Sequence, residues 1–417
     1  MSDRSTLLVT YGRGSLAPTR LAQAASANSV DLVFLVDGEE HSQQMLPTLH
    51  MLGDVVDGAG CGEETLLSLV GAHQPAGIVT FSEFRIESTA RLAHRLGLPH
   101  HPLEDLPAIT QKDSQRRRFA ERGLDTVKAA TVTDPAHIDA ALAEVGLPAI
   151  VKPVRGASSR NTVSVSTAQE CHHVVSSVLA IDGPGPAETS VMLEELLVGR
   201  PTNAPWGDYI AVDCAVSNGG AQAMFVTSKF SLAPPFRERG GYGGRSIVED
   251  HLLAEVETLA CRAVDAVGIT TGIADVEIKL TADGPRVIEV NGRLGAWVDD
   301  LAVRSGSADP ADIAVKSALG RRLDESRPRD DGAPIAFHYL LVPPIDALHV
   351  QDIHNVPALR RVPNVDKVMV LTEPGCSADW RLGATANLAA VVGAVSTHAE
   401  LADTVSRLEE VSWISYG

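Results

Sequence analysis

The sequence predicts a protein of mixed α/β and α+β class, in which a parallel α/β part precedes antiparallel strands. In the first part, the strand-length apolar runs Thr6–Thr10, Asp31–Asp37 and Gly77–Ser82 alternate with helical patterns around Pro18–Ala27 and Ile86–Gly97, as in sheets with parallel strands. Later segments alternate apolar and polar residues singly, which is typical of half-buried antiparallel strands. The 417 residues are enough for two to four domains.

The composition is that of a soluble globular protein, with 44% hydrophobic and 21% charged residues. A formal net charge of −18 argues against a nucleic-acid or anionic membrane partner. The five cysteines are scattered without a C-x-x-C pair, so we expect buried thiols in a reducing compartment. The N-terminus does not resemble a signal peptide and no apolar run reaches the length of a membrane span, which predicts a cytoplasmic protein.

The first part is predicted to end near Pro107. Its segment Gly12-Arg13-Gly14 follows the first strand but lacks the third glycine of a dinucleotide-binding loop. A tight strand-to-helix turn is therefore favoured over an NAD site, and its backbone amides could still bind an anion. His100 and His101 have no companions at metal-ligand spacing, which favours packing or surface roles.

A basic helix and a small-residue loop follow. Thr110–Gly123 predicts a helix that ends at a glycine, and its Lys112 and Arg116–Arg118 are interpreted as a solvent-facing surface. The strand Ala149–Lys152 then leads into the loop Val154–Asn161. A lysine at a strand end before a Gly/Ser loop suits phosphate binding, and a surface hairpin is the alternative.

The middle and end of the chain predict further strands and helices. Val191–Leu197 is strand-like, although its pattern also fits a helix. The glycine-dense segment Pro234–Arg245 is predicted to be a functional or a disordered loop. The other predicted elements are the strands Asp208–Val216 and Ala221–Ser228, the helices Asp250–Val267 and Pro310–Leu319, and after Ala333 a closing β-rich part with the strands Ala336–Val342, Val368–Leu371 and Ala389–Val392 and the helix Ala399–Glu409.

Two neighbouring strands carry the most informative pattern. Ile273–Leu280 and Val287–Asn291 both alternate, and Ala282-Asp283-Gly284 between them predicts a three-residue turn that ends in a left-handed glycine. A turn centred on Asp283 places Glu277 directly opposite Glu289. A two-residue Asp-Gly turn would shift the register by one residue and send the two carboxylates to opposite faces. We predict the three-residue turn.

Two carboxylates directly opposed on a sheet repel each other unless a cation lies between them. The side-chain oxygen of Asn291 would complete three hard donors of the kind that magnesium prefers. A solvated polar face is the alternative interpretation of the strands taken alone.

Taken in order, these segments resemble the ATP-grasp superfamily of carboxylate–amine ligases, and most of all its L-amino acid (dipeptide) ligases. The resemblance implies a nucleotide held between two α+β subdomains, after a parallel α/β (preATP-grasp) domain. It divides the chain into an N-terminal α/β domain (1–108), a small subdomain with a phosphate-covering loop (109–190), a large subdomain with hinge and metal site (191–330), and a C-terminal β-rich extension (331–417).

The resemblance also implies a set of ATP-binding residues. Lys112 and Lys152 match the lysine pair at the phosphates, and Ser158 and Ser159 match the phosphate-covering loop, although Arg160-Asn161 stand where the family has a second glycine. The segment from Leu193 to Gly199 matches the hinge. By that match Glu194 accepts from the adenine amino group, the backbone of Glu195 and Leu197 contacts the ring, and Asp208 substitutes for the acid that binds the ribose.

The remaining matches concern chemistry. Glu277, Glu289 and Asn291 match the ligands of Mg²⁺, with Mn²⁺ as a substitute. Lys229 matches a lysine near the terminal phosphate, and Arg293 matches the arginine that follows the metal ligands and would stabilise the negative charge that develops in the reaction. The implied reaction activates a carboxylate with ATP as an acylphosphate and couples it to an amine. Lids are expected at Ser158/Ser159 and at Gly240–Gly244, and a substrate carboxylate at one of Arg237, Arg245 and Arg304.

The expected partners are small-molecule carboxylate and amine substrates, with no nucleic acid, no membrane, and a homodimer as one expectation. Amino acid ligation in specialised metabolism, such as antibiotic biosynthesis, fits the resemblance. The alternatives are a biotin-carboxylase-like enzyme, a purine-pathway ligase, a nucleotide-binding regulator without turnover and, more distantly, an NAD-dependent dehydrogenase built on Gly12-Arg13-Gly14.

Overall fold

The computed structural model describes residues 4–180, 188–323 and 332–417 of the chain. Its first part confirms the predicted parallel sheet, because the four N-terminal strands pair in the order β3-β2-β1-β4 with parallel registers. The elements of this part are β1 (Ser5–Thr10), α1 (Pro18–Ala27), β2 (Val30–Val36), α2 (Glu40–Leu52), β3 (Asp54–Asp57), α3 (Glu63–Gly71), β4 (Gly77–Val79), α4 (Ile86–Leu96) and α5 (Leu106–Thr110).

A small antiparallel sheet follows, with the strand order β5-β8-β6-β7. Its segment of the chain contains α6 (Lys112–Glu121), β5 (Ala129–Val132), α7 (Ile138–Val145), β6 (Ala149–Pro153), β7 (Val163–Val165), α8 (Ala168–Leu179) and β8 (Val191–Glu195). The strand predicted at 191–197 is confirmed, but its assignment to the large subdomain is wrong. It hydrogen-bonds to β5 and β6, because its apolar residues Val191 and Leu193 complete the core of the small sheet.

The rest of the chain builds one eight-stranded sheet in the order β13-β12-β9-β10-β11-β14-β17-β16, and a separate pair β15-β18. The predicted C-terminal extension therefore continues the large sheet, and its predicted start at 331 lies outside the described residues. The elements are β9 (Trp206–Ser217), β10 (Gly220–Phe230), β11 (Gly240–Gly243), α9 (Asp250–Val267), β12 (Gly272–Thr281), β13 (Gly284–Asn291), α10 (Val298–Arg304), α11 (Pro310–Ala318), β14 (Ile335–Leu341), β15 (Val350–Ile353), α12 (Val356–Leu359), β16 (Val365–Val370), β17 (Ala389–Val395), α13 (His398–Glu410) and β18 (Ile414–Tyr416).

The glycine-dense segment contains a buried strand at Gly240–Gly243, which corrects the prediction that 240–244 forms a lid. β11 pairs with β10 on one side and with β14 on the other. A Cβ atom on Gly241 would lie 2.7 Å from Ser228 O, and one on Gly243 would overlap with the ring of Phe225. The glycines are required by close packing inside the sheet, so this segment cannot open as a lid.

The large sheet is covered on both faces. Helix α9 packs on one face, where Val256 and Ala260 share a core with Ile210 and Val212 of β9. The N-terminal part packs over the other face, where its apolar residues share a core with Phe225 of β10. On this second face, the paired residues Asp213 of β9 and Asp275 of β12 are buried. No helix of the described ranges is both long and apolar enough to span a membrane.

The predicted burial of the cysteines is correct in part. Cys171 and Cys214 are buried, whereas Cys376 is exposed.

His101 takes a packing role, as expected, and its Nδ1 accepts a hydrogen bond of 3.2 Å from the Thr270 amide. Burial lowers the pKa of neighbouring His100 to about 4, and burial together with the charge of His100 lowers the pKa of His101 well below 6.5.

These histidines predict a pH-dependent stability. Below pH 6.5 the unfolded chain binds protons that the folded chain excludes, so each histidine should lower the free energy of unfolding by about 1.4 kcal/mol per pH unit as the pH falls toward 4. His101→Gln should reduce this slope by about 1.4 kcal/mol per pH unit, which corresponds to one proton, in urea titrations between pH 7 and pH 4. His50→Gln, at an exposed position, is the control, and an equal slope in all three proteins would contradict the prediction.

Candidate active site

Strands β12 and β13 place Glu277 opposite Glu289, as predicted, but the turn between them is not the predicted one. Thr281 pairs with Gly284, so the turn contains two residues, Ala282 and Asp283. The register then shifts by one residue beyond the Ile278–Val287 pair, which leaves Ile288 as a β-bulge. Without the bulge, Glu277 would lie opposite Ile288 and the two carboxylates would point to opposite faces.

Arg116 holds this bulge from α6. Its Nη1 donates to Val287 O and its Nη2 to Ile288 O, both at 2.7 Å. Next to it, Gln115 exchanges hydrogen bonds of 2.8 and 2.9 Å with the backbone of Val290. Side chains of helix α6 thus provide hydrogen-bond partners for backbone groups of β13, the edge strand of the large sheet. The interpretation of Arg116 as solvent-facing is wrong, because the side chain is 5% exposed.

Glu194 forms a buried ion pair with the same Arg116 guanidinium. Its carboxylate accepts from Arg116 Nε at 2.6 Å and Nη2 at 3.1 Å, and from Lys152 Nζ at 3.0 Å. Burial alone would raise the pKa of Glu194, but the two cations outweigh it and lower the pKa to about 2. Both oxygens of the residue expected at the adenine amino group are therefore engaged within the chain.

Lys112 connects the opposed carboxylates with the small-residue loop. Its Nζ lies 3.0 Å from Glu289 Oε2 and donates to Gly156 O at 3.0 Å. Burial and the negative charge of Glu289 raise the pKa of Glu277 to about 8. The pKa of Glu289 is instead lowered, since Lys112 and Lys152 together outweigh the effect of burial. The pair thus carries a charge conflict that a cation would relieve.

The donor set fits a hard divalent cation. The described parts of the chain hold no cluster of three or more Asp, Glu, His or Cys side chains suited to a metal. Asn291 Nδ2 donates to Asp275 Oδ2 at 3.3 Å, so the amide nitrogen is used there and the amide oxygen of Asn291 is available as a third oxygen donor. Two carboxylates and one amide oxygen are ligands that suit Mg²⁺.

Arg293 and Lys229 are both held by acidic residues that the sequence interpretation did not identify. Arg293 lies 3.1 Å from Asp275 and 3.3 Å from Glu83, and Lys229 lies 2.5 Å from Glu238. Asp275 could have been identified, because it alternates with Glu277 on one face of its strand. Glu83 comes from the N-terminal part, and no motif in the sequence links it to Arg293.

A pocket lies between the small sheet and the large one, and both charged and apolar side chains line it. The apolar residues include Leu197 of the predicted hinge and the bulged Ile288. Ser158 and Ser159 line it as well, both with positive φ values of 68° and 55°. The full lining contains Lys112, Ile150, Lys152, Pro153, Gly156, Ala157, Ser158, Ser159, Arg160, Thr162, Glu194, Leu196, Leu197, Tyr209, Leu232, Phe236, Glu238, Glu277, Lys279, Ile288 and Glu289.

Two residues predicted for the nucleotide have other partners in the structure. The Glu195 amide donates to Lys128 O at 2.9 Å, so its N–H is already bonded. Asp208 accepts from Lys279 Nζ at 2.7 Å, and Lys279 rather than Asp208 lines the pocket.

The three arginines suggested for a substrate carboxylate are also engaged elsewhere. Arg237 is buried and donates to Pro234 O and Pro343 O. Arg245 donates to the backbone of Ser396, and Arg304 pairs with Asp300 and Asp366.

Comparison with known proteins confirms the resemblance to the ATP-grasp superfamily. Residues 145–299 match the family model of the ATP-grasp domain. A D-alanine–D-alanine ligase of Cupriavidus metallidurans is 28% identical over 56% of this chain and 71% of its own length. Carnosine synthase 1 of Mus musculus is 25% identical over 71% of this chain and 37% of its own.

The fold is likewise that of a solved ligase structure. The L-amino acid ligase from Bacillus licheniformis superposes with a TM-score of 0.75 at 19% identity, over 100% of this chain and 99% of that one. The ATP-grasp fold predicted from the sequence, with its parallel N-terminal sheet and large antiparallel sheet, is therefore confirmed.

The Arg116 contacts generate a stability prediction. Arg116→Ala should lower the free energy of unfolding by about 3 kcal/mol or more, since it removes one partner of a buried ion pair and two donors to the bulge. Arg117→Ala on the same helix is the control, because that residue is exposed and its loss should cost within about 0.5 kcal/mol. Equal urea midpoints for the two variants would show that Arg116 does not support the bulge.

Proposed function

We propose that this chain, which carries an ATP-grasp domain, is an ATP-dependent carboxylate–amine ligase. One observation carries the proposal: opposed Glu277 and Glu289 line one pocket together with Lys112, whose Nζ lies 3.0 Å from Glu289. Lys152 and several apolar side chains line the same pocket. Cations and metal-type ligands beside an apolar cleft suit a nucleotide whose phosphates lie at the polar end and whose base lies at the apolar end.

The first step transfers the terminal phosphoryl group of ATP. An oxygen of the substrate carboxylate attacks the γ-phosphorus, the bond to the β–γ bridging oxygen breaks, and ADP and an acylphosphate result. This reaction needs positioning and charge neutralisation more than proton transfer. Lys112, Lys152 and Lys229 supply positive charge, and Mg²⁺ (or Mn²⁺) held by Glu277, Glu289 and Asn291 would supply the rest.

In the second step the amine attacks the acyl carbon, the C–N bond forms, and the bond between the acyl carbon and the phosphate oxygen breaks. The amine loses one proton, which the departing phosphate takes up. Arg293 is our candidate for stabilising the negative charge that develops on the reacting oxygens, since it lies on the chain directly after the Glu289–Asn291 segment. Its contacts with Asp275 and Glu83 fix the guanidinium before any substrate binds. An acylphosphate is hydrolysed by water, so Ser158 and Ser159 are assigned to cover the site.

The carboxylate substrate proposed is an amino acid, and the product a dipeptide or an amino acid amide. The proposal is supported by the names of a relative, D-alanine–D-alanine ligase, and of a protein with the same fold, L-amino acid ligase. We place this chemistry in specialised metabolism in the cytoplasm, with antibiotic biosynthesis as one setting and a homodimer as the proposed assembly.

The test is phosphate release from ATP with Mg²⁺ and pooled amino acids, repeated with each amino acid left out. The expected result is release that depends on two amino acids, with a product mass equal to their sum minus water. Release that instead needs bicarbonate and biotin would overturn the proposal in favour of a carboxylase. ATP binding without release under any condition would favour a regulator that lacks turnover.

Glu289→Gln is predicted to abolish the Mg²⁺-dependent release and to leave the fold intact, because the amide keeps the shape of the side chain and loses the charge that attracts the cation. A loss of about a hundredfold to a thousandfold in kcat is expected, as for removal of one charge-stabilising group. Asp283→Asn changes the same charge at the exposed turn of the hairpin and should keep full activity. Full activity of Glu289→Gln would remove Glu289 from the metal site.

A further inference from the structure

The loop that lines the pocket at residues 156–162, here called the pocket loop, is bonded to the C-terminal part of the chain. The Asn161 amide donates to Arg381 O at 3.1 Å, and the Ala384 amide donates to Ser158 O at 3.0 Å. Arg381 and Ala384 belong to the 3-10 helical segment Trp380–Ala386, which precedes strand β17. More than two hundred residues of sequence separate the two bonded segments, so neither pattern alone predicts the contact.

Gly383 lies at the centre of this contact. Its backbone has φ 59° and ψ −135°, which glycine adopts far more readily than residues with a side chain. A Cβ atom at this position would overlap with Ser158 O and would lie 2.8 Å from the Arg160 amide nitrogen. The segment can therefore approach the pocket loop only because residue 383 has no side chain.

The pocket loop itself needs such support. Ser158, Ser159 and Asn161 all have left-handed backbone conformations, with φ values of 68°, 55° and 51°. Residues with a Cβ atom rarely adopt this region in succession, and they keep it only where surrounding contacts hold them. The bonds to Arg381 and Ala384 act on this run of residues.

Further contacts hold the two ends of the loop. Lys112 Nζ donates to Gly156 O at 3.0 Å, and Arg160 pairs with Glu188 at 2.6 Å. Arg160 and Asn161 stand where the sequence departs from the glycine expected in a phosphate-covering loop. Both residues are used in anchoring contacts, so the departure from the pattern coincides with a loop that is fixed to its surroundings.

We propose that the segment Trp380–Ala386 is a latch that holds the pocket loop over the nucleotide, and that Gly383 is its positioning residue. The proposal rests on the proposed function, since the loop must cover ATP for the latch to matter. Gly383 touches no substrate. It acts through Ser158, which it allows to reach the conformation that lines the pocket.

Gly383→Val is the test variant and Gly375→Val its matched control. Gly375 also has a positive φ, 89°, and lies in the same C-terminal part, but a Cβ atom there would have no neighbour within 4 Å. Both substitutions thus strain the backbone, and only the one at Gly383 displaces the pocket loop. Circular dichroism and thermal unfolding of both variants establish that they fold.

Hydrogen exchange of the full-length protein without nucleotide provides the first readout. The Asn161 and Ala384 amides should be protected in the unmodified chain and in Gly375→Val, and should exchange faster in Gly383→Val. Loss of two backbone hydrogen bonds corresponds to a change of roughly tenfold to a hundredfold in the closed population. Unprotected amides in the unmodified chain would overturn the latch even if Gly383→Val does not fold.

Binding of a non-hydrolysable ATP analogue with Mg²⁺ is the second readout. Gly383→Val should bind it roughly tenfold more weakly than Gly375→Val does. Equal affinities would overturn the latch as a part of the nucleotide site. Failure of the unmodified chain to bind the analogue would instead contradict the proposed function, and the exchange measurement would still decide whether the latch exists.

Discussion

The buried ion pair between Arg116 and Glu194 is the interaction on which the site depends. The guanidinium bonds to Glu194 of β8 and also to Val287 O and Ile288 O of β13, so one side chain ties the small sheet to the edge of the large sheet. Removing either partner would leave the charge of the other buried in protein. The loss of stability would be far larger than that caused by breaking a solvent-exposed ion pair. The bulge that Arg116 stabilises brings Glu277 opposite Glu289 and so places both carboxylates on one face of the sheet.

The sequence predicts the order of the elements and the facing of the two glutamates, but it predicts that facing for a partly wrong reason. The turn is one residue shorter than expected, and the bulge at Ile288 adds one residue back. Alternation reports which side of a strand is buried, so Ile273–Leu280 could be read locally. The bulge depends on Arg116, which lies 171 positions from Val287, and local patterns contain no information about such a partner. The burial of Arg116 escaped prediction for the same reason.

Glycine clusters show a related limit. The glycines at 240–244 suggest a mobile lid by composition, yet in β11 they allow a close approach to Phe225 and Ser228 of the neighbouring strand β10. Gly383 has no glycine neighbours to draw attention to it, and it permits the contact with the pocket loop. In both places glycine marks a close approach of two chain segments. Composition alone does not separate this use from flexibility, and the contacting segment decides between them.

The charges of the site are paired within the chain before any substrate is present. Lys112 forms an ion pair with Glu289, and Lys229 forms one with Glu238. Arg293 forms ion pairs with both Asp275 and Glu83. These acids keep each cation charged and oriented in a buried place, where an isolated cation would be costly. A nucleotide phosphate that enters would therefore meet groups already in position, and little reorganisation would remain for the reaction step. The opposed Glu277 and Glu289 are the exception, because burial and the charge of Glu289 both disfavour ionisation of Glu277 and raise its pKa to about 8.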